Sequence, residues 1–329
     1  MSVIIVSENI TGEAMNRLRE THEVVFEPDL WQHIDRLAEL LPAARAIIVR
    51  NQTKVTRELI SAAPNLQIIG RAGAGLDNID TDAASETGIV ISYTPNENSI
   101  SVAELVLSFM LTAVRRIPAA WEDTRSGGWN RMQFVGGELF GKTLGIVGLG
   151  RIGRLVAERA RAFGMTIIAH DEFIDPDSPF VDELGARLTS MDDLLTRADF
   201  VSLHVPLTSE TRNSFSHGAF QRMKSSAWFM NASRGEVVDE AALLQALSGN
   251  LIAGAALDVR SQEPPADTEL AKLENVILTP HIGAFTHEAQ ERVGAAVCND
   301  VVAVLAGNSA TNAFNFPTPQ RQGGHRPPV

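Results

Sequence analysis

Residues 143–171 read TLGIVGLGRIGRLVAERARAFGMTIIAHD, and the order of features in this stretch decides the fold. An apolar, β-rich run at 143–147 leads straight into Gly148-Leu149-Gly150-Arg151-Ile152-Gly153. An amphipathic helix pattern follows, with Leu155, Val156, Ala160 and Phe163 as its apolar positions and Gly164 as its stop. A second apolar run, 165–169, ends in Asp171. Gly148 permits the tight turn out of the strand, Gly150 lets a pyrophosphate approach the backbone, and Gly153 lets the helix pack closely on the sheet. The helix then points free N–H groups and the positive end of its dipole at the phosphates. A carboxylate about 20 residues beyond the glycines accepts from a ribose 2′-hydroxyl, and Asp171 holds that place. A glycine turn alone says little; between two strands and followed by an acid it predicts dinucleotide binding.

The rest of the chain frames this unit. At 329 residues it exceeds one ordinary core and predicts two domains. A formal net charge of −12 argues against nucleic acid or an anionic membrane as the main partner, though not against a local basic pocket. Cys298 is the only cysteine, so no internal disulfide is possible, and neither CxxC nor HExxH occurs to signal a metal site. The start, MSVIIVSENI, has no basic leader region or cleavage site, and no apolar run reaches the ~18 residues of a bilayer span. The expectation is a cytoplasmic, reduced enzyme without a metal.

Upstream, strand patterns at 3–6, 22–26, 46–49, 66–69 and 89–92 alternate with helix patterns at 11–20, 34–43, 56–63 and 79–86, with Thr11 as the N-cap of the first helix. Such alternation predicts a parallel, doubly wound sheet, ending near Pro95. Residues 101–115 form a long apolar helix, expected to cross between domains or to pack on a partner subunit. A loop at 127–141 carries Trp129 and Phe134. Later strands are read at 200–204, 228–231, 254–258 and 276–279, with a helix at 239–248 among those between them. The last helix, 286–306, is long enough to return to the first domain, and 318–329 reads as a disordered tail. GGELFGKT at 136–143 fits the P-loop expression but lacks the strand before and helix after that such a loop requires. The Asn-x-Ser/Thr triplets at Asn9, Asn51 and Asn231 have no glycosylation meaning in a cytoplasmic protein.

A hydride given to or taken from an alcohol or carbonyl requires a proton to move as well, and histidine does this best near neutral pH. His281, in Thr279-Pro280-His281-Ile282-Gly283, follows an apolar strand, and strand carboxyl ends are where open α/β sheets hold ligands. His204 ends another strand. His22, His33, His170, His217 and His287 lack such placement, and His325 lies in the tail. Glu263 also follows a strand; a carboxylate beside an imidazole stabilises its charged form. Arg234 stands at a further strand end, where its planar fork suits a substrate carboxylate. Spacing alone equally allows each to be a member of a structural ion pair.

Together the motifs resemble the D-isomer-specific 2-hydroxyacid dehydrogenase family over about residues 1–317. The likeness is carried by GLGRIG from Gly148, NASRGEVVDE from Asn231, AALDV and EPP between Ala255 and Pro265, and TPHIGA from Thr279. VRNQTKV from Val49, GRAGAGLDNID from Gly70, NSISVAEL from Asn98 and GKTLGIVGLGRIGR from Gly141 are most similar to the family's phosphoglycerate-oxidising branch. The resemblance implies NAD as cofactor and a catalytic set of Arg234, which holds the substrate carboxylate, His281, the proton donor and acceptor, and Glu263, which orients it. It implies Gly148, Gly150, Arg151, Ile152 and Gly153 at the pyrophosphate and Asp171 at the adenine ribose, with Glu172 adding charge against a 2′-phosphate. His204, Val205, Pro206 and Thr211 would line the adenosine side, and Ala232, Asp258 and Gly283 the nicotinamide. Ala74 and Gly75 would form a backbone carboxylate loop. The implied fold is α/β with two doubly wound parallel sheets, a Rossmann coenzyme domain at 98–286 inserted in a flavodoxin-like substrate domain made of 1–97 and 287–317. A homodimer through the coenzyme domain is implied, with the apolar 102–114 helix as the candidate interface. Ending near Pro317, the sequence is expected to lack the regulatory C-terminal domains of longer relatives and hence serine feedback control.

Three residues depart from the pattern: Arg260 stands at a usually aromatic position, and Phe285 and Glu97 at usually small ones. They bear on the substrate. Arg50 and Arg71 sit at strand ends near Ala74 and Gly75, Lys54 follows Arg50, and Arg131 matches a basic position of the phosphoglycerate-oxidising branch. This cluster predicts a small 2-hydroxy acid with a second anionic group, 3-phosphoglycerate first; the plain alternative pairs Arg50 and Arg71 with Glu58 and Asp77. Sulfolactate is the rival substrate, with Arg260 as an added cation and Phe285 narrowing the pocket. Glycerate with hydroxypyruvate is the neutral-tailed alternative. A non-catalytic NAD-sensing, co-repressor-like module is the competing class, and a decarboxylating sugar dehydrogenase is disfavoured by the Arg, Glu, His order.

Overall fold

A computed structural model describes residues 3–176, 178–266 and 269–320. The chain divides into two units: Met1–Asn98 with Ala284–Val329, and Ser99–Gly283. The sequence expectation places the joins at 97/98 and 286/287.

The first unit is built on β1 (Val3–Val6), β2 (Glu23–Phe26), β3 (Ala44–Val49), β4 (Ile68–Arg71) and β5 (Val90–Ser92). They form one parallel sheet in the order β2-β1-β3-β4-β5, the flavodoxin-like order. These runs are apolar without alternation because helices cover both faces. Ile5, Ile47, Ile69 and Ile91 pack on one side, and Ile4, Val6, Ile48, Ile68 and Val90 on the other. The helix His287–Leu305 closes the second side with Val293, Val297, Val301 and Val304, spaced to share one helical face. A Cβ on Gly70 in β4 would stand 2.7 Å from Val297 Cγ2, so this helix lies directly on the strand.

The first helix is Glu13–Thr21, and its N-cap is Gly12, not Thr11. Gly12 adopts φ 124°, a region hostile to a β-branched residue, and Glu291 supplies the missing cap by accepting from the Glu13 N–H at 3.2 Å. Of the segment read as a tail, 318–320 is described, and the Gln320 N–H donates to the Gly88 carbonyl at 3.0 Å. Residues 321–329 lie outside the described residues.

The second unit carries β6 (Thr143–Val147), β7 (Thr166–His170), β8 (Ala186–Leu188), β9 (Phe200–Leu203), β10 (Trp228–Asn231), β11 (Gly254–Leu257) and β12 (Val276–Leu278). The parallel order is β12-β11-β10-β9-β6-β7-β8, the doubly wound Rossmann arrangement with its switch point between β6 and β9. Only β8 escapes the sequence reading. It is a three-residue edge strand containing Arg187, too short and polar to register.

The long apolar helix is Ser99–Arg115, and much of its apolar surface is used within its own unit. Val106, Leu107, Phe109, Met110 and Ala113 are spent inside this unit, in the core shared with Val156, Ala157 and Ala160 of the helix Arg151–Ala162. The next helix, Ile117–Arg125, buries no residue at all. Ile117, Trp121, Trp129, Met132, Val135 and Phe140 are exposed along this same stretch. Among the described residues, no helix is long and apolar enough to cross a membrane.

Candidate active site

The glycine turn sits at the switch point. Gly148 takes φ 90°, and a Cβ there would lie 2.7 Å from the His204 carbonyl oxygen, so the β6 and β9 ends meet at van der Waals limits. Gly153 is as constrained, 2.3 Å from the Gly148 oxygen by the same measure. Gly150 has nothing within 4 Å, so space lies open beside its backbone. Gly150 is also the N-cap of the twelve-residue helix Arg151–Ala162 and makes no side-chain cap bond, which leaves the amides of Arg151, Ile152 and Gly153 available to an anion.

Asp171 follows β7 and holds this turn together. Its Oδ2 accepts from the Leu149 N–H at 2.8 Å and its Oδ1 from the Phe173 N–H at 2.9 Å. Glu172 beside it is exposed. His204 ends β9 with Nε2 2.9 Å from Ser202 Oγ, and burial pushes its imidazole down to about 4. Val205 packs on the unit's core. Thr211 Oγ1 donates to the Pro206 carbonyl at 2.6 Å, closing the turn that follows.

A second group gathers at the carboxyl ends of β10, β11 and β12. Ala232, Ser233 and Arg234 leave β10, where Asn231 Oδ1 accepts from the Ser233 N–H at 2.9 Å and Asn231 Nδ2 donates to the Arg234 carbonyl at 2.9 Å. Arg234 Nη1 donates to the Ser233 carbonyl at 2.8 Å. His281 Nδ1 lies 2.6 Å from Glu263 Oε2. His281 itself sits at φ 56°, unusual for a non-glycine residue. Asp258 maintains that bend: its carbonyl accepts from the His281 N–H at 2.8 Å, and its carboxylate from Thr279 Oγ1 at 2.6 Å, the Ile282 N–H at 2.8 Å and the Gly283 N–H at 2.7 Å. Asp258 is buried, and burial pushes its carboxyl up against the pull of those donors. Burial also penalises the Glu263 carboxylate, but the His281 hydrogen bond and charge, the Arg260 N–H and the Arg234 charge together bring it below the ordinary range.

Arg131 opens an exposed turn, Arg131–Phe134; among the described residues no hydrogen bond or ion pair joins it to the Arg234, Glu263 and His281 group. Arg260 is not the free cation that a sulfonate site would use. It is 10 % exposed, and its Nε and Nη2 grip Glu240 at 3.1 and 2.8 Å.

In the first unit, Arg50 follows β3 and Arg71 ends β4, neighbouring strands, and both are buried. Neither acid named for Arg50 holds it. Its Nη1 donates to Gln290 Oε1 at 2.6 Å and its guanidinium lies 4.2 Å over the Phe285 ring. Burial pushes its guanidinium below the usual arginine pKa, and the nearby Glu8 charge opposes this. Glu8, unnoticed in the sequence, is buried and accepts from the amides of Arg50, Gln52 and Thr53 at 2.7, 3.0 and 2.9 Å. The Arg71 guanidinium folds over Gly73, where a Cβ would meet its Nη1 at 1.5 Å, and donates to the Ala72 carbonyl at 3.2 Å. Ala74 and Gly75 follow, half-buried. Lys54 is exposed. Glu97 turns to its own backbone, accepting from the Asn96 N–H at 2.9 Å.

The family described as D-isomer specific 2-hydroxyacid dehydrogenase, NAD binding domain, matches residues 107–283. This chain belongs to the D-isomer-specific 2-hydroxyacid dehydrogenases. Its 107–283 segment is the family's NAD-binding domain, so NAD is the cofactor the glycine turn serves. D-3-phosphoglycerate dehydrogenase of Methanocaldococcus jannaschii is 44% identical over the whole of this chain, which spans 62% of that relative's length. Among solved structures of the fold, the TT0316 protein of Thermus thermophilus superposes with a TM-score of 0.88 at 34% identity, covering 95% of this chain and 99% of that one. D-lactate dehydrogenase of Aquifex aeolicus, solved with NAD and lactic acid, gives 0.85 at 29% identity, over 96% of this chain and all of that one. In this family member the residues that sequence reasoning missed are Glu8, Gln290 and Glu240. Each is an ordinary polar residue whose partners lie far along the chain, so no local spacing marks it.

Proposed function

We propose that this chain interconverts a small D-2-hydroxy acid and its 2-oxo acid with NAD. The observation that carries the reading is the His281–Glu263 pair with Arg234, set at the carboxyl edge of the sheet that holds the glycine turn. NAD fits that turn: the open space at Gly150 and the uncapped amides suit its pyrophosphate, and Asp171 its adenine ribose. When bound, NAD supplies the hydride acceptor for oxidation and the donor for reduction. Glu263 faces Nδ1 of His281, and a carboxylate can only accept there, so Nε2 is the nitrogen left to exchange a proton with the substrate C2 oxygen. Glu263, ionised, balances the imidazolium formed in oxidation. The Arg234 fork holds the substrate carboxylate and polarises the C2 oxygen.

For the substrate, the D-3-phosphoglycerate dehydrogenase at 44% identity and the two buried arginines of the first unit support a second anionic group, with 3-phosphoglycerate foremost. Arg50, Arg71 and the Ala74-Gly75 loop are the proposed anion receptor; Arg131 is a further candidate. The capture of Arg260 by Glu240 removes the main argument for sulfolactate. We also propose a cytoplasmic homodimer formed through the exposed apolar stretch at 117–140. The test is kcat/KM with NAD for 3-phosphoglycerate, sulfolactate, glycerate and lactate, in wild type, Arg50→Ala and Arg71→Ala. Both variants are expected to lose far more activity on the anionic substrates than on glycerate. A wild type that prefers glycerate or lactate, with both variants unaffected, sinks the anion receptor. No turnover of any 2-oxo acid with NADH favours the NAD-sensing module.

A further inference from the structure

Glu240, the first residue of the helix Glu240–Ser248, grips the segment that holds Glu263. Glu240 Oε1 accepts from Arg260 Nε at 3.1 Å and from the Ser261 N–H at 2.6 Å, and Oε2 accepts from Arg260 Nη2 at 2.8 Å. The Arg260 N–H in turn donates to Glu263 Oε1 at 3.0 Å, leaving Oε2 to face His281 Nδ1. The Arg260–Ser261 peptide rests on Gly235, where a Cβ would lie 2.0 Å from the Arg260 carbonyl carbon and 2.4 Å from the Ser261 nitrogen. Gly235 directly follows Arg234.

We propose that Glu240 is a positioning residue for proton transfer: its two-pronged grip on Arg260 fixes the peptide that aims Glu263 at His281 and seats it against the segment carrying Arg234. This rests on the catalytic roles proposed above. A bidentate carboxylate–guanidinium pair holds direction as well as distance, and neither a lone amide bond nor a lysine does so. Burial penalises the Glu240 carboxylate, but the Arg260 and Ser261 bonds outweigh that penalty and bring it below the ordinary range, so the grip is ionic. The charges facing the His281–Glu263 pair are then Arg234, which acts on Glu263, and Asp258, which acts on His281 from the turn beneath it. Without Glu240, the largely buried Arg260 guanidinium loses this carboxylate, and the Ser261 N–H loses its acceptor.

The experiment uses the full chain with Glu240→Gln, Arg260→Met and the neutral double variant, which keeps volume without an unpaired buried charge. The first readout needs no substrate. The low-field proton resonance of the His281–Glu263 bond, identified by its loss in His281→Asn, is expected to move upfield and broaden in each variant. The second is kinetic: kcat for oxidation falls about tenfold or more while the Kd of NADH holds. The acid limb of the oxidation profile moves to lower pH, because a displaced Glu263 supports the imidazolium less. The third is coupling: in a Glu263→Gln background, Glu240→Gln adds nothing further to the loss of kcat. An unchanged resonance and kcat in variants that still bind NADH overturn the proposal, as does full additivity with Glu263→Gln. If no 2-hydroxy acid is turned over, the resonance alone decides, so the two readings fail separately.

Discussion

His281 occupies a backbone region that most residues avoid, and Asp258 holds it there with four hydrogen bonds. Replacing His281 with Asn preserves that bend, since asparagine tolerates the left-handed region, and removes the imidazole proposed to carry the proton. Turnover is expected to fall about 10²-fold or more with NADH affinity retained, measured by single-turnover kinetics and fluorescence titration. Undiminished turnover excludes His281 as acid and base. Asp171 holds the Leu149 N–H, and its proposed role at the ribose comes on top of that bond. Asp171→Ser is therefore expected to weaken NAD without creating NADP use, because the glycine turn loosens and exposed Glu172 still repels a 2′-phosphate. A gain of NADPH-driven activity to the wild-type NADH level refutes this. His204 is held neutral in the folded chain to about 4, whereas an unfolded histidine titrates near 6.5. Its contribution to stability is complete above about 6.5 and is lost as pH falls towards 4, because only the unfolded chain takes up the proton there. Urea midpoints at pH 7.5 and 5 should fall further for wild type than for His204→Gln; equal falls contradict the assignment.

Among the elements, two depend on contacts from distant sequence. The helix His287–Leu305 carries Asp300, buried, which accepts from Ser92 Oγ at 2.5 Å and from the amides of Thr311 and Asn312 at 2.7 and 3.1 Å. It thereby ties the segment after the helix to β5, where Ala313 bridges Ser92. Asp300→Ala leaves the buried Ser92 hydroxyl and the Thr311 and Asn312 amides without this acceptor and is expected to cost about 2–3 kcal/mol, read by chemical denaturation. A loss below about 0.5 kcal/mol shows that the segment holds without it. The turn between β10 and the next helix depends on Gly235. Its missing Cβ lets the Arg234 segment and the Arg260 segment touch, so Gly235→Ala should separate them and lower kcat together with the melting temperature. The helix Ser99–Arg115 shows what local pattern leaves open. An apolar helix of this length reads alike whether its face meets a partner chain or its own core, and here Val106 and Met110 meet the core.

At the scale of the molecule, the stretch at 117–140 gathers several exposed apolar side chains, with Trp121 at 59 % and Trp129 at 76 % exposure. A monomeric protein rarely tolerates such clustering. Light scattering is expected to give a mass of two chains, and Trp121→Asp with Val135→Asp to give one; a wild type that stays monomeric at tens of micromolar removes the dimer. The amino-acid sequence by itself determined the two parallel sheets, the glycine turn with Asp171 after the next strand, and the placement of Arg234, Glu263 and His281 after strand ends. Those features are written locally, as apolar runs, glycine spacing and residues placed at strand ends, and local sterics enforce them wherever they occur. Only the tertiary structure decided the use of the remaining polar residues. Whether Arg260 served a ligand or Glu240, whether Arg50 met Glu58 or Gln290 and Phe285, and what capped the first helix depended on residues tens to hundreds of positions away. Charge and hydrogen-bonding capacity belong to the residue, but a partner belongs to the fold, because pairing is settled by which loops packing brings within 3 Å or so of one another.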